Sequence, residues 1–325
     1  MPHHVKIVIL DGHTNNPGDL SWAPLEALGD LVVHPRTSRE QVVQQAGGAT
    51  AMLVNKVAVG DDAMAQLPEL RYIGVMATGY NIVETDAAKR RGITVTNIPA
   101  YSTESTAQHA FALLLALTNH VGSLTSDIDE RWPASPDFSY WDEPLIELAG
   151  LTCGIIGFGA IGKAFARRAR AFGMKVVAHT RPPEKHEKAA GELGVSMVSL
   201  DEVLRQSDVL SLHCPLTPET RGLIDANAIA KMKPTALLIN ASRGPILDEP
   251  AVAAALNEDR LGGAGIDVLS EEPPRNGNPL LTARNCILTP HVAWASTAAR
   301  KRLIDIAAAN LRGFLEGNPT NVVNG

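Results

Sequence analysis

LTCGIIGFGAIGKAFARRARAFGMKVVAHTR, residues 151–181, opens on a short apolar run (Leu151, Cys153, Ile155, Ile156) and turns through Gly157, Gly159 and Gly162. It continues as a helix with Ile161, Ala164, Phe165 and Ala169 on its apolar face. Gly173 closes that helix, and Met174 to Ala178 reads as a second strand. The spacing is G-x-G-x-x-G in a strand, turn, helix context, which is what gives this pattern its meaning. Gly157 permits the tight turn, Gly159 leaves bare backbone for a pyrophosphate, and Gly162 lets the helix pack closely on the strand. Free N–H groups at the helix N-terminus then face the phosphates with a partial positive charge. The stretch predicts a dinucleotide site.

Working outward, 325 residues are long for one core and suggest two domains. The net charge of −6, with Lys and Arg scattered, leaves no basic stripe for nucleic acid. The longest apolar run, Ala110 to Leu117, is far short of the roughly 20 residues that span a bilayer. No basic region precedes the apolar segment of MPHHVKIVIL and no small-residue cleavage site follows it, so a signal peptide is not expected and the cytoplasm is the default. Cys153, Cys214 and Cys286 are odd in number and lack C-x-x-C spacing, which fits free thiols and no metal site.

Short apolar segments alternate with helical patterns before the glycine loop. Val5 to Leu10, Leu31 to His34, Ala51 to Val54, Tyr72 to Met76 and Ile93 to Asn97 read as strands. Ser38 to Ala46, Asp61 to Leu67 and Thr85 to Arg91 read as helices. This is the rhythm of βαβ units and a parallel sheet. One long helix is expected from about Thr103 to about Leu124. The segment after it, with Trp132, Tyr140 and Trp141 among several prolines, reads as an extended arm. Beyond the glycine loop, Val209 to His213, Ala236 to Asn240 and Gly263 to Asp267 are expected strands, with helices from Asp201 and Asp248. Ser296 to Leu315 is a long amphipathic helix.

A doubly wound sheet places chemistry just past the carboxyl ends of its strands. Three clusters fall there: N-A-S-R-G with Arg243, the acidic loop Asp267–Pro274, in which neither Glu271 nor Glu272 alone carries weight, and T-P-H with His291. A guanidinium offers a planar fork to a carboxylate or carbonyl oxygen. Histidine is the natural group to move a proton alongside a hydride near neutral pH.

In order and spacing these clusters resemble the D-isomer-specific 2-hydroxyacid dehydrogenases. The similarity runs from about Tyr72 to Val322, and YSTESTAQHAFALLLAL, YWDEPLIELAG and TPHVAWAS look most like glycerate dehydrogenases, also called hydroxypyruvate reductases. The resemblance implies an α/β fold of two Rossmann-like or flavodoxin-like parallel-sheet domains with a cleft between them. A discontinuous substrate-binding domain would comprise 1–100 and 289–325, and an NAD(P)-binding Rossmann domain 101–288.

It further implies that His291 is the acid and base, that Glu272 on its ring favours the imidazolium, and that Arg243 binds substrate and polarises the carbonyl. Ala77, Thr78 and Gly79 would hold the substrate carboxylate on backbone N–H groups. The cofactor would meet Gly157, Gly159, Ala160, Ile161, Gly162, Cys214, Ala241, Ser242, Arg243, Asp267 near the carboxamide, and His291 to Trp294, including Ala293. The implied partners are a small 2-keto or 2-hydroxy acid, hydroxypyruvate or glyoxylate first, and a second copy in a homodimer. Another dehydrogenase of the same family, or an NAD(P)H-sensing binding protein on the same fold, are the alternatives.

Two positions depart from the family. Where an NAD-dependent member carries Asp after the second strand, for the ribose 2′-OH, this chain has Thr180 followed by Arg181. A hydroxyl and a guanidinium suit a 2′-phosphate, so NADP is expected ahead of NAD. Gln108 stands where the family often has Glu, with no consequence assigned.

Overall fold

The computed structural model describes residues 5–325, so Met1–His4, the start of the segment read as lacking a signal peptide, lie outside it. Two compact units form, one from the chain up to Ser102 together with Ala295–Gly325, the other from Thr103–Trp294. Each is a parallel sheet covered by helices.

The first unit contains β1 (Lys6–Ile9), β2 (Asp30–Val33), β3 (Ala51–Val54), β4 (Tyr72–Val75) and β5 (Thr94–Thr96), in the order β2-β1-β3-β4-β5, all parallel. β3 and β4 read AMLV and YIGV and are buried on both faces, as central strands of a covered sheet must be. The C-terminal helix Thr297–Leu315 belongs here. Ser296 caps it by accepting the Ala299 N–H, and it buries Leu303, Ile304, Ala307, Ala308 and Leu311. Phe314 from its last turn meets the Tyr72 ring at 5.0 Å. At the head of the unit the Asp11 carboxylate accepts the N–H groups of Asn55 (2.8 Å), Lys56 (2.5 Å) and Val57 (3.1 Å), pinning the chain as it leaves β3.

The second unit carries β6 (Thr152–Ile156), β7 (Lys175–His179), β8 (Val195–Met197), β9 (Val209–Leu212), β10 (Leu237–Asn240), β11 (Gly263–Ile266) and β12 (Cys286–Leu288). Their order is β12-β11-β10-β9-β6-β7-β8, again all parallel, so the winding reverses between β6 and β9. That reversal opens a crevice at the carboxyl ends of the two strands. Helices Thr103–Asn119 and Ala160–Ala171 pack together over the sheet, with Phe111 against Phe165 at 5.5 Å. Residues 289–294, expected in the first unit, cluster with the second, because β12 is an edge strand of the larger sheet and the Asp267 carboxylate holds Val292 and Ala293.

Several expected elements differ in detail. The single helix from Thr103 to Leu124 stops at Asn119. His120 turns left-handed (φ 49°) and a short helix, Val121–Thr125, starts afresh. Ser38 to Ala46 is a 3₁₀ turn (Arg39–Gln41) running into one α turn (Val42–Gln45). The arm is less extended than expected. Arg131 closes it with a two-pronged pair to Asp142 (2.7 and 2.8 Å) and lies 4.4 Å over the Tyr140 ring, and Trp132 Nε1–H donates to the Phe138 carbonyl. All three cysteines are free thiols. Among the described residues no helix is long and apolar enough to cross a membrane.

Candidate active site

The glycine turn sits at the reversal of winding. Gly157 adopts φ +94°, and a Cβ there would strike the backbone of His213 and Cys214 at the end of β9. A Cβ on Gly162 would run into the Gly157 carbonyl, so the helix can approach β6 only because that atom is missing. Gly159 is different: it caps the helix Ala160–Ala171, and a Cβ built on it meets nothing within 4 Å. The space over Gly159, with the first-turn N–H groups of Ala160, Ile161 and Gly162, fits a dinucleotide pyrophosphate.

Around this turn the sheet delivers the other expected cofactor residues. Thr180 and Arg181 follow β7, the former half-buried and the latter exposed. Glu219 lies within the field of Arg181. Its carboxyl is held below the usual range by the Thr217 hydroxyl and by its own amide, with the Arg181 charge adding to both. Cys214 follows β9 with its thiol pushed up to about 11 by burial, so it serves as packing rather than as a nucleophile. Beside it the His213 ring packs on Phe165 at 5.0 Å and meets Ser211 Oγ at 2.9 Å. Burial pushes the His213 pKa down to about 3, so the ring is neutral.

After β10, the buried Asn240 shapes the loop that carries Arg243. Its Oδ1 accepts Ser242 N–H and Oγ–H, and its Nδ2 donates to the Arg243 carbonyl. Ala241 is buried, whereas Arg243 is exposed with Nη1 on the Ser242 carbonyl (2.6 Å). A Cβ on Gly244 would collide with the Leu269–Ser270 peptide, so this glycine is what allows the Arg243 loop to lie against the acidic loop. Glu249, itself buried, fixes that acidic loop from below by accepting Ser270 N–H (2.7 Å) and Asn278 Nδ2–H (2.8 Å).

Glu272 therefore arrives in a defined place. Its Oε1 accepts Leu269 N–H (2.8 Å) and its Oε2 lies 2.6 Å from His291 Nδ1. A carboxylate only accepts, so Nδ1 bears the hydrogen, and Nε2 is the ring atom left to give or take a proton. His291 itself is left-handed (φ 54°) and its amide donates to the Asp267 carbonyl (2.8 Å).

Asp267, expected near a carboxamide, has its carboxylate engaged within the chain. Oδ1 accepts Thr289 Oγ1–H (2.6 Å) and Val292 N–H (2.9 Å), and Oδ2 accepts Ala293 N–H (2.9 Å). Burial pushes its pKa up, but the hydrogen bonds of His109, Thr289, Ala293 and Val292 outweigh it and hold the group below the usual range. It is a buried carboxylate. Thr289, Ser105 and His109 around it escaped the sequence reading; Thr289 stood in a quoted motif, but its partner Asp267 could be known only from the fold.

In the first unit, Ala77, Thr78 and Gly79 follow β4. Thr78 Oγ1–H donates to the Ile98 carbonyl and Asn97 Nδ2–H to the Thr78 carbonyl, tying this turn to the end of β5. Among the described residues no cluster of His, Cys, Asp and Glu is arranged to hold a metal ion.

With this geometry in place, residues 111–293 match the family model for the D-isomer specific 2-hydroxyacid dehydrogenase, NAD binding domain. A hydroxypyruvate reductase from Blautia hydrogenotrophica is 47% identical over 98% of this chain and 100% of its own length. A glycerate dehydrogenase from Methylorubrum extorquens is 42% identical over 87% and 88%. Among solved structures, an acyclic imino acid reductase in complex with NADPH and D-Arg superposes with a TM-score of 0.84 at 28% identity, covering 98% of this chain and all of the other. The chain belongs to the D-isomer specific 2-hydroxyacid dehydrogenase family. It is an oxidoreductase that works with a nicotinamide cofactor.

Proposed function

We propose that the protein reduces a small 2-keto acid, hydroxypyruvate or glyoxylate, to D-glycerate or glycolate, with NADPH ahead of NADH. The observation that carries the reading is the 2.6 Å pairing of His291 Nδ1 with Glu272, on a loop against which the loop of the exposed Arg243 packs. The names of the two relatives direct the choice of hydroxypyruvate, and glyoxylate, the shorter 2-keto acid, follows from the family resemblance. The nicotinamide supplies the hydride. Glu272 fixes the tautomer and orientation of His291, whose Nε2 delivers the proton to the ketone oxygen. Arg243 stabilises negative charge on that oxygen as it develops. The N–H groups of Ala160 to Gly162 hold the pyrophosphate, and those of Ala77, Thr78 and Gly79 the substrate carboxylate.

A panel of 2-keto acids assayed with NADPH and NADH tests the substrate and cofactor together. His291→Ala should lower kcat by on the order of 10²-fold or more while cofactor binding survives. Near wild-type turnover in that variant would end the mechanism, and wild-type inactivity towards every 2-keto acid would end the proposal.

A further inference from the structure

We propose that His109 and Thr289 are positioning residues for this reaction, holding the Asp267 carboxylate that clamps the turn bearing His291. The inference rests on the function proposed above. His109 sits on the helix Thr103–Asn119, and its Nε2 lies 2.9 Å from Thr289 Oγ1 and 3.4 Å from Asp267 Oδ1. The Thr289 hydroxyl has one hydrogen, and the carboxylate 2.6 Å away can only accept it. Thr289 Oγ1 must therefore be the acceptor towards His109, and His109 Nε2 must carry a proton. The chain of donors runs in one direction, from His109 through Thr289 to Asp267.

Asp267 passes that order to the turn. Its carboxylate takes the Val292 and Ala293 amides, its carbonyl takes the His291 amide, and Ser105, one helical turn before His109, donates to the Ala293 carbonyl at 2.7 Å. A left-handed histidine persists only where its surroundings over-determine it. Without the Thr289 hydroxyl, Asp267 Oδ1, buried with its residue 1% exposed, loses its shortest donor, and His109 loses its nearer partner and keeps only the 3.4 Å approach to that carboxylate. The His291 ring then loses definition just where proton transfer demands it.

The test compares wild type with Thr289→Val, Thr289→Ser, His109→Leu and His109→Gln by steady-state reduction of hydroxypyruvate with NADPH and by amide hydrogen exchange over residues 289–294. Thr289→Val should lower kcat by about 10-fold or more while both KM values stay within about 3-fold. His109→Leu should act in the same sense. The Ser and Gln variants, which keep a hydroxyl and an N–H donor in place, should recover most of kcat. Exchange of the Val292 and Ala293 amides should quicken in the Val and Leu variants alone. If those two variants keep kcat within about 2-fold of wild type, or if Ser and Gln fall equally far, the positioning role is overturned. Should wild type reduce no 2-keto acid, the proposed function fails, while unaltered exchange at Val292 and Ala293 would separately refute the clamp.

Discussion

On the proposed reading, Arg181, exposed just after β7, meets the 2′-phosphate of NADPH, and Glu219 is near enough for the two charges to interact. A charge-assisted contact to a 2′-phosphate corresponds to about 10- to 150-fold in affinity, so Arg181→Ala should weaken NADPH by that factor and leave NADH almost unchanged. Glu219→Gln should move the other way, strengthening NADPH by removing a like charge from the phosphate's surroundings. Titration of both cofactors against the three proteins decides the matter; equal losses for NADPH and NADH in Arg181→Ala would mean that the guanidinium faces solvent. Arg243, Glu272 and His291 could be singled out as candidates because each stands at a strand end in a short motif that resembles the family's, and the fold does bring Glu272 onto His291. Ser105 and His109 could not. Their partners lie 188 and 180 residues away in the chain, and a histidine inside an apolar helix gives no local sign of what it meets.

Among the elements, the strand-turn-helix at β6 invites a paired substitution. Gly159→Ala adds a methyl group into open space and should leave the melting temperature almost unchanged while sharply weakening dinucleotide binding. Gly157→Ala puts a Cβ into the His213–Cys214 backbone at φ +94° and should lose stability as well as binding. Thermal melting with and without NADPH separates the two, and a Gly159→Ala protein that binds normally would show that no phosphate rests on that turn. Element type was legible wherever an apolar run was long or a cap was explicit, as at Asp248, whose carboxylate accepts the Ala251 N–H. β8 and β12 were not read, because unlike the equally short β5 they lack an unbroken β-branched run such as Ile93–Thr96; only pairing with β7 and β11 makes them strands. The stop at Asn119 was hidden for the opposite reason: Thr103 to Leu124 has a dense apolar middle and no proline, and His120 takes a conformation that its side chain does not advertise.

Across the whole molecule, the apolar surface that stands out is the segment from Trp132 to Leu145, where Trp132, Phe138, Trp141 and Leu145 are 53%, 91%, 63% and 56% exposed. Pro144 and Ile146 border a cavity of about 590 Å³ shared with Leu117, His120 and Cys286. So much clustered apolar area is expected to be covered by a second copy. Sedimentation at micromolar concentration should give about twice the 34.5 kDa chain mass, and Phe138→Ser with Trp141→Ser should return it to that of one chain; a wild type that sediments as one chain would contradict the dimer. The interrupted first unit has a consequence during synthesis. Its five strands leave the ribosome early, but the helix Thr297–Leu315 that packs on β4 follows only after the 192 residues of Thr103–Trp294. At about 5–20 residues per second that is a wait of roughly 10–40 s with the part of the sheet at β4 that this helix covers left bare. The inserted unit is synthesised whole before the one that encloses it, so the unit begun first is the last to be completed, and the Tyr72 ring gains its Phe314 partner only at the end.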